Sequence, residues 1–228
     1  MKHALFLLIL VIAMPAAAKD PIFVRPEQIN AMAILPAPPD NESAATKAEL
    51  AELHRIQDRR SEADVKKALA DADEEDIFIF KTVLGDQFTP ANFPALAILS
   101  AHVANDEGPN ANVAKVGFNR ARPYDVDTTI HSVCKTAKSN SYPSGHGTIG
   151  YLEGLTLSLL VPEKRDLILA RAEDYGRSRL ICGVHYGSDL EASKRLAYAM
   201  FGAMQSNPQF QAELGAAREE LRKAALVH

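Results

Sequence analysis

The second half of the chain is a succession of helix-length segments, and this feature limits the possible folds most strongly. Residues 147–161, 163–179, 189–205 and 208–227 have helical length, and several are rich in alanine or leucine. Earlier, apolar residues recur at roughly helical spacing over residues 44–60, and either Asn41 or Ser43 can cap this helix. Ser61 with Asp64 marks a further helix start. The sequence therefore predicts an all-α domain.

The first residues are typical of a secretory signal peptide. Lys2 and His3 precede an apolar run over residues 4–14, and the small residues that follow end at Ala18. A helix that crosses a bilayer needs about 20 apolar residues, so this run favours cleavage after Ala18 over a retained membrane anchor. We predict a signal peptide at residues 1–18 and export of the remaining chain.

Composition after the leader indicates one domain with a short arm before it. Residues 19–42 are rich in proline, which disfavours helix, so we expect an extended arm there and a single domain at residues 43–228. The formal net charge of −4 at pH 7 argues against a general nucleic-acid binder, which would carry an excess of lysine and arginine. No later segment resembles a membrane span. We therefore expect neither nucleic acid nor membrane as a partner of the mature chain.

Some internal segments have less regular patterns. Residues 77–84 are apolar and short enough to be either a strand or a buried helix. The acidic cluster at residues 71–76 lacks the glycine and the glutamate spacing of a calcium loop, which favours a solvated helix end. We expect the polar residues 106–112 to interrupt the helical pattern before Lys115, and residues 124–143 to form a loop.

The chain contains two cysteines, Cys134 and Cys182. In an exported protein they can form a disulfide, which would tie the segment after Arg122 to the segment that carries His185. The alternative is two buried free thiols. Their spacing matches no metal-binding motif.

A serine, a glycine and a histidine stand together where a loop enters the helix predicted from residue 147. Unpaired amides at a helix N-terminus bind phosphate oxygens, Gly145 lets the backbone approach them, and Ser144 can donate a further hydrogen bond. His146 adds a group that can transfer protons. Taken alone, the segment favours an ordinary serine cap followed by a structural histidine.

Three basic residues, Lys115, Arg122 and Arg179, are candidate ligands for the same phosphoryl group. Displacement at phosphorus places negative charge on three equatorial oxygens, and these cations can stabilise that charge without a metal. Arg120 and Arg177 lie nearby in the sequence, but we interpret them as surface charges. We expect no metal ion and no cofactor.

A histidine and an aspartate, His185 and Asp189, are spaced so that the carboxylate can accept a hydrogen bond from one imidazole nitrogen. Such a partner fixes the tautomer and leaves the other nitrogen free to attack. A pair at this spacing is often incidental, and its conjunction with the other segments is what indicates a nucleophile.

Together, these segments resemble the three-part signature of the type 2 phosphatidic acid phosphatase superfamily, which includes vanadium haloperoxidases. Residues 115–123, 143–146 and 178–189 match every fixed position of Lys-x6-Arg-Pro, Pro-Ser-Gly-His and Ser-Arg-x5-His-x3-Asp. The exported helical form, the proline-rich arm and the sequence around Arg179 are similar to bacterial class A non-specific acid phosphatases. The resemblance implies a compact helical bundle, a periplasmic location and a homo-oligomer.

The resemblance also implies a mechanism. His185, oriented by Asp189, attacks phosphorus and becomes a phosphohistidine, while His146 protonates the leaving group and then activates water. The residues that would hold the phosphoryl oxygens, or vanadate in their place, are Lys115, Arg122, Ser144, Gly145 and Arg179. The implied activity is a metal-independent acid phosphatase that hydrolyses small phosphate monoesters of broad specificity and releases inorganic phosphate. One histidine must be neutral and the other charged, so we expect an optimum on the acid side of neutrality.

Other functions share these residues. A phosphotransferase would use an alcohol, such as a nucleoside, in place of water. A vanadium-dependent haloperoxidase would hold vanadate and peroxide with the same cations, but that class has much longer chains. A lipid phosphatase generally places the site among transmembrane helices, which this sequence does not predict.

Overall fold

The structure is a computed structural model and describes residues 20–224. Its α-helices, in chain order, are α1 (Pro26–Ile29), α2 (Ala31–Ile34), α3 (Ala44–Arg59), α4 (Glu62–Asp73), α5 (Lys81–Leu84), α6 (Pro94–Phe118), α7 (Pro123–Val126), α8 (Gly145–Leu160), α9 (Arg165–Ile181), α10 (Gly187–Met204) and α11 (Pro208–Lys223). Two 3₁₀-helices, Ile77–Phe80 and Pro162–Lys164, precede α5 and α9. No strand occurs among these residues, so the predicted all-α fold is confirmed. The predicted signal peptide and the end of the last predicted helix lie outside the described residues.

The central element is α8, which is buried along almost its whole length and packs against α6, α9 and α10. Two glycines allow the closest of these contacts. A Cβ atom on Gly150 would lie 2.5 Å from the Tyr175 ring, and one on Gly154 would lie 3.1 Å from the Cβ of Ala172. This close packing brings the N-terminus of α8 beside the C-terminal part of α9, where two of the three motif segments meet.

Helix starts follow the predicted capping residues. Of the two candidate caps of α3, Ser43 and not Asn41 fills the role, since its hydroxyl accepts from the amide of Thr46. Ser61 and Asp64 form a reciprocal capping box at the start of α4. The ambiguous segment at residues 77–84 is helical, not a strand, and ends at Gly85, whose φ of 97° suits glycine. None of the helices described between residues 20 and 224 is both long and apolar enough to cross a bilayer.

The predicted interruption at residues 106–112 is wrong, because α6 continues through it. Two of the polar residues there, Asp106 and Asn110, are buried and bind the N-terminal arm of the same chain rather than solvent. The buried Asp106 carboxylate accepts hydrogen bonds from the amides of Ile22, Phe23 and Val24 at 2.6, 2.8 and 2.7 Å. Asn110 donates to the Val24 carbonyl at 2.8 Å. These bonds replace the contacts with water that a loop would make.

The N-terminal arm is therefore docked on α6 and is not extended throughout. Phe23 and Val24 are buried in the main core, and Phe23 packs edge-to-face on Phe210 of α11. Two single helical turns, α1 and α2, follow, joined at Asn30 in the left-handed conformation. Asn30 ends α1, and Leu35 before Pro36 ends α2, so each helix is one turn long and too short to show a periodic sequence pattern.

A buried glutamate in the middle of α8 makes the stability of the fold depend on pH. Glu153 is fully buried, and its one hydrogen-bond donor among the described residues is the Ser100 hydroxyl, 2.8 Å from Oε1. Burial raises the pKa of this carboxyl well above its ordinary value of 4.5. The folded state therefore holds a proton that the unfolded state releases at about that pH.

We expect the Glu153→Gln variant to remove part of this pH dependence. The stabilisation from the retained proton is fully present below the unfolded pKa and is lost as the pH rises through the folded pKa. Thermal unfolding between pH 4 and pH 8 should show the wild-type Tm falling relative to that of the variant. Parallel curves for the two proteins would show that Glu153 does not titrate in this range.

Candidate active site

The N-terminus of α8 is built as a polar cap. Ser144 is buried, and its hydroxyl accepts from the amide of Gly147 at 3.2 Å, so that its own hydrogen can still be donated to a ligand. The Ser144 carbonyl accepts from the hydroxyl of Ser193 on α10 at 2.8 Å, which fixes the cap against that helix. The helix begins at Gly145, as the proposed phosphate-binding role requires.

The proposed nucleophile lies next to its predicted carboxylate partner. His185 is 3% exposed, and its Nδ1 is 3.0 Å from Oδ2 of Asp189 in the first turn of α10. Asp189 also accepts from the Tyr186 amide at 3.0 Å and from the Ser141 hydroxyl. With these donors around it the carboxylate is held as an anion, and Nδ1 of His185 carries the hydrogen. Nε2 is left with its lone pair.

Charges around the pair keep His185 neutral and Asp189 ionised. Burial lowers the pKa of His185 to about 3, and the nearby cations Arg122 and Lys115 act in the same direction, against the attraction of Asp189. Burial opposes the ionisation of Asp189, but the hydrogen bonds from His185 and Ser141 and the charge of Arg120 outweigh it and lower the pKa of the carboxyl to about 2. The histidine is therefore unprotonated in mildly acidic solution.

The guanidinium of Arg179 has free donors in the buried interior of the site. Arg179 is 5% exposed, and none of the residues between 20 and 224 accepts a hydrogen bond from its Nε or Nη1. A buried donor without a partner is costly, and a group that binds an oxyanion is a common reason to retain it. Its neighbour Ser178 donates to Asp71 at 2.6 Å, which anchors this end of α9 on α4.

The other two predicted cations lie close to His185. Arg122 donates to the carbonyl of Ser139 at 2.8 Å, and its Nη1 is 3.2 Å from Nε2 of His185. Lys115 donates to the carbonyl of Pro143, just before the α8 cap. Burial lowers the pKa of Lys115 to about 8, with partial compensation from the Glu107 carboxylate, so the ammonium stays charged in acid.

The second histidine of the site, His146, is partly buried over the ring of Tyr175. Its Nε2 lies 3.1 Å from the carbonyl of Ala72 and 3.1 Å from Oε1 of Glu75. Burial and the charge of Arg179 lower its pKa, while Glu75 opposes this change. Both acceptors favour a hydrogen on Nε2, which leaves Nδ1 as the nitrogen that can exchange a proton.

Two parts of the sequence interpretation need correction. Arg120 is not a surface charge: it is buried and donates to Oδ1 of Asp189 at 2.7 Å. The acidic cluster is not merely a solvated helix end, since Asp71 is buried against Arg171 and Glu75 lies against His146. Arg177 is exposed, as expected. The spacing of Arg120, two residues before Arg122, was the one local signal that could have indicated its role.

Cys134 and Cys182 are joined by a disulfide, which resolves the alternative between a bond and free thiols. The bond holds Cys182, the residue that begins the turn leading from α9 to His185. It links this turn to the loop after α7, and the amide of Val133 donates to the carbonyl of Cys182 at 3.1 Å across the same junction. The disulfide thus braces the segment that carries the proposed nucleophile, as predicted.

Comparison with known proteins agrees with this arrangement. A family model described as the PAP2 superfamily matches residues 93–211, which include all three motif segments. A non-specific acid phosphatase from Providencia stuartii is 33% identical over 205 residues, covering 86% of this chain and 83% of the relative.

Solved structures with the same fold confirm the predicted bundle type. A transmembrane PAP2 type phosphatidylglycerolphosphate phosphatase from Bacillus subtilis is 18% identical, with a TM-score of 0.53 over 77% of this chain and 88% of its own. A bacterial vanadium-dependent iodoperoxidase is 16% identical, with a TM-score of 0.57 over 76% of this chain and 52% of its own. The family model and the acid phosphatase relative show that the chain belongs to the PAP2 superfamily.

Proposed function

We propose that this acid phosphatase hydrolyses a broad range of phosphate monoesters in two steps, through a phosphohistidine on His185. The observation that carries the proposal is the hydrogen bond of 3.0 Å between Nδ1 of His185 and Asp189, which leaves the lone pair on Nε2. Nε2 would form a bond to phosphorus as the bond from phosphorus to the leaving oxygen breaks. Water would then cleave the phosphorus–nitrogen bond and release inorganic phosphate.

The phosphoryl oxygens would be held by the oxyanion site, by which we mean Lys115, Arg122, Ser144, Gly145 and Arg179. The free donors of Arg179 support this role, together with the unpaired amides at the start of α8. Vanadate has the same charge and shape as the reacting group, so we expect it to bind at the same residues and to compete with substrate.

His146 would act first as an acid and then as a base. Since Ala72 and Glu75 hold the hydrogen on Nε2, the proton of the charged imidazole would pass from Nδ1 to the leaving oxygen. The neutral ring would then take a proton from the attacking water through the same nitrogen. The ring returns to its charged form at the end of the cycle.

The two histidines together predict an acid pH optimum. Activity should rise as His185 loses its proton near its pKa of about 3. It should fall again as His146 loses its proton, and the pKa of His146 lies below the ordinary value of 6.5. A profile of kcat/KM that keeps rising above pH 8 would contradict the assignment of both histidines.

The leaving group provides a test of His146 that is independent of pH. We expect His146→Ala to lower the rate about 10²–10⁴-fold for an alkyl phosphate, which needs protonation of the departing oxygen. The loss should be much smaller for p-nitrophenyl phosphate, whose leaving group is already a stable anion. Equal losses for both substrates would exclude the role of acid.

Export to the periplasm is the second part of the proposal. The predicted leader at residues 1–18 and the disulfide between Cys134 and Cys182 both suit an oxidising compartment. Recovery of the protein in the periplasmic fraction, with an N-terminal sequence that begins at Lys19, would support export, and an uncleaved cytoplasmic chain would refute it.

We also propose that the protein is a homo-oligomer. Size-exclusion chromatography with light scattering would test this oligomeric state.

A further inference from the structure

Arg120 occupies a position that the three motifs do not explain. It follows α6 directly, its side chain is 1% exposed, and its guanidinium lies 3.8 Å from the centre of the Tyr186 ring. A buried guanidinium needs partners for its charge, and here both of its terminal nitrogens donate hydrogen bonds to carboxylates.

The partners of Arg120 form a continuous chain of hydrogen bonds from α3 to the nucleophile. Nη2 donates to Oε2 of Glu49 at 2.7 Å, and Nη1 donates to Oδ1 of Asp189 at 2.7 Å. The other oxygen of Glu49 accepts from the amide of Ser188 at 2.6 Å, which holds the carboxylate in place. The second oxygen of Asp189 accepts from Nδ1 of His185.

We propose that Arg120 is a positioning residue that, held by Glu49, offsets the charge of Asp189 and so keeps His185 neutral and able to attack in acidic solution. An isolated Asp189 carboxylate would orient the imidazole but would also attract a second proton to it. The paired carboxylate keeps the orienting hydrogen bond and loses much of that attraction. The proposal rests on His185 as the nucleophile.

Other groups around the pair do not replace Arg120. Lys115 of α6 and Arg122 at the start of α7 face the imidazole and also disfavour its protonation. On the carboxylate, the remaining contacts are the neutral Ser141 hydroxyl and the Tyr186 amide. Arg120 is thus the one cation that donates directly to Asp189 among the described residues.

Two substitutions should move the protonation of His185 in opposite directions. In Arg120→Met the charge of Asp189 is no longer offset, so we expect the titration of the His185 imidazole to move up by about 1–2 pH units. In Glu49→Gln the charge of Arg120 is shared with one carboxylate instead of two. We expect His185 to stay neutral in that variant to the lowest pH at which the protein remains folded. A loss of structure alone would not produce opposite signs.

The titration is read by NMR of the imidazole nitrogens, with His185→Asn identifying the signal, and the pH–rate profile is recorded in parallel. The control is Arg177→Met, which replaces an exposed arginine of α9 and should leave both the His185 titration and the pH–rate profile unchanged. If Arg120→Met does not fold, Arg120→Lys is measured instead. Because it retains the charge, it should shift the His185 titration by less than about 0.5 pH unit, about a third of the shift expected for Met. Glu49→Gln then still gives the direction in which the His185 titration moves.

The outcomes separate the inference from the proposed function. An upward shift in Arg120→Met with the acid limb of the profile moving alongside supports both. A shift of the imidazole without movement of the acid limb supports the inference and counts against His185 as the nucleophile. No shift in Arg120→Met, or an upward shift in Glu49→Gln, overturns the role of Arg120.

Discussion

His185→Ala is expected to lower kcat/KM for phenyl phosphate by at least about 10⁴-fold, because the variant has no atom that can attack phosphorus. The oxyanion site remains, since the backbone turn around residue 185 is held by the disulfide and by Asp189. Competition by vanadate should therefore persist, which separates loss of chemistry from loss of binding.

His102→Ala is the matched control for this variant. His102 is also partly buried and paired with a carboxylate, Glu213 at 2.9 Å, but it belongs to the contact between α6 and α11. Its replacement should leave kcat within a few-fold of the wild type. Should His185→Ala retain activity comparable to this control, His185 is not the nucleophile.

Arg179→Met should lower kcat about 10²–10³-fold, because it removes a buried cation whose Nε and Nη1 have no acceptor among the described residues and can bind an oxyanion. The loss in kcat should exceed the loss in substrate affinity, since negative charge on the equatorial oxygens grows as the reaction proceeds. Arg179→Lys should recover part of the loss through its charge, but not the paired hydrogen bonds.

Arg177→Met provides the comparison on the same helix, two residues away. Arg177 is exposed, and its removal should change kcat less than about two-fold, as for most surface positions distant from a site. Steady-state kinetics of the three variants with one substrate decide the matter. If Arg179→Met behaves like Arg177→Met, the oxyanion is held elsewhere.

Local sequence patterns predicted the parts of the fold and the site that depend on neighbouring residues. Ser43 and Ser61 cap helices by accepting hydrogen bonds from amides three residues later, so their roles can be predicted from the local sequence. The same holds for His185 and Asp189, four residues apart. The motif order also identified Lys115, Arg122 and Arg179; in the fold, Lys115 and Arg122 act on His185, and Arg179 acts on His146.

The residues that the sequence did not reveal act over long separations. The continuity of α6 depends on Asp106, whose partners lie more than 80 residues earlier in the chain. The role of Arg120 depends on Glu49, 71 residues away, and on Asp189, 69 residues away. No periodicity or spacing records such pairings, because tertiary packing alone creates them.

Trapping the covalent intermediate tests the central claim most directly. The enzyme is mixed with ³²P-labelled substrate, quenched within milliseconds in alkaline denaturant, which preserves phosphohistidine, and digested for peptide mapping. We predict label on the peptide that contains His185, with none in the His185→Ala variant. Label on another residue, or release of phosphate with no labelled protein at any time point, would contradict the mechanism.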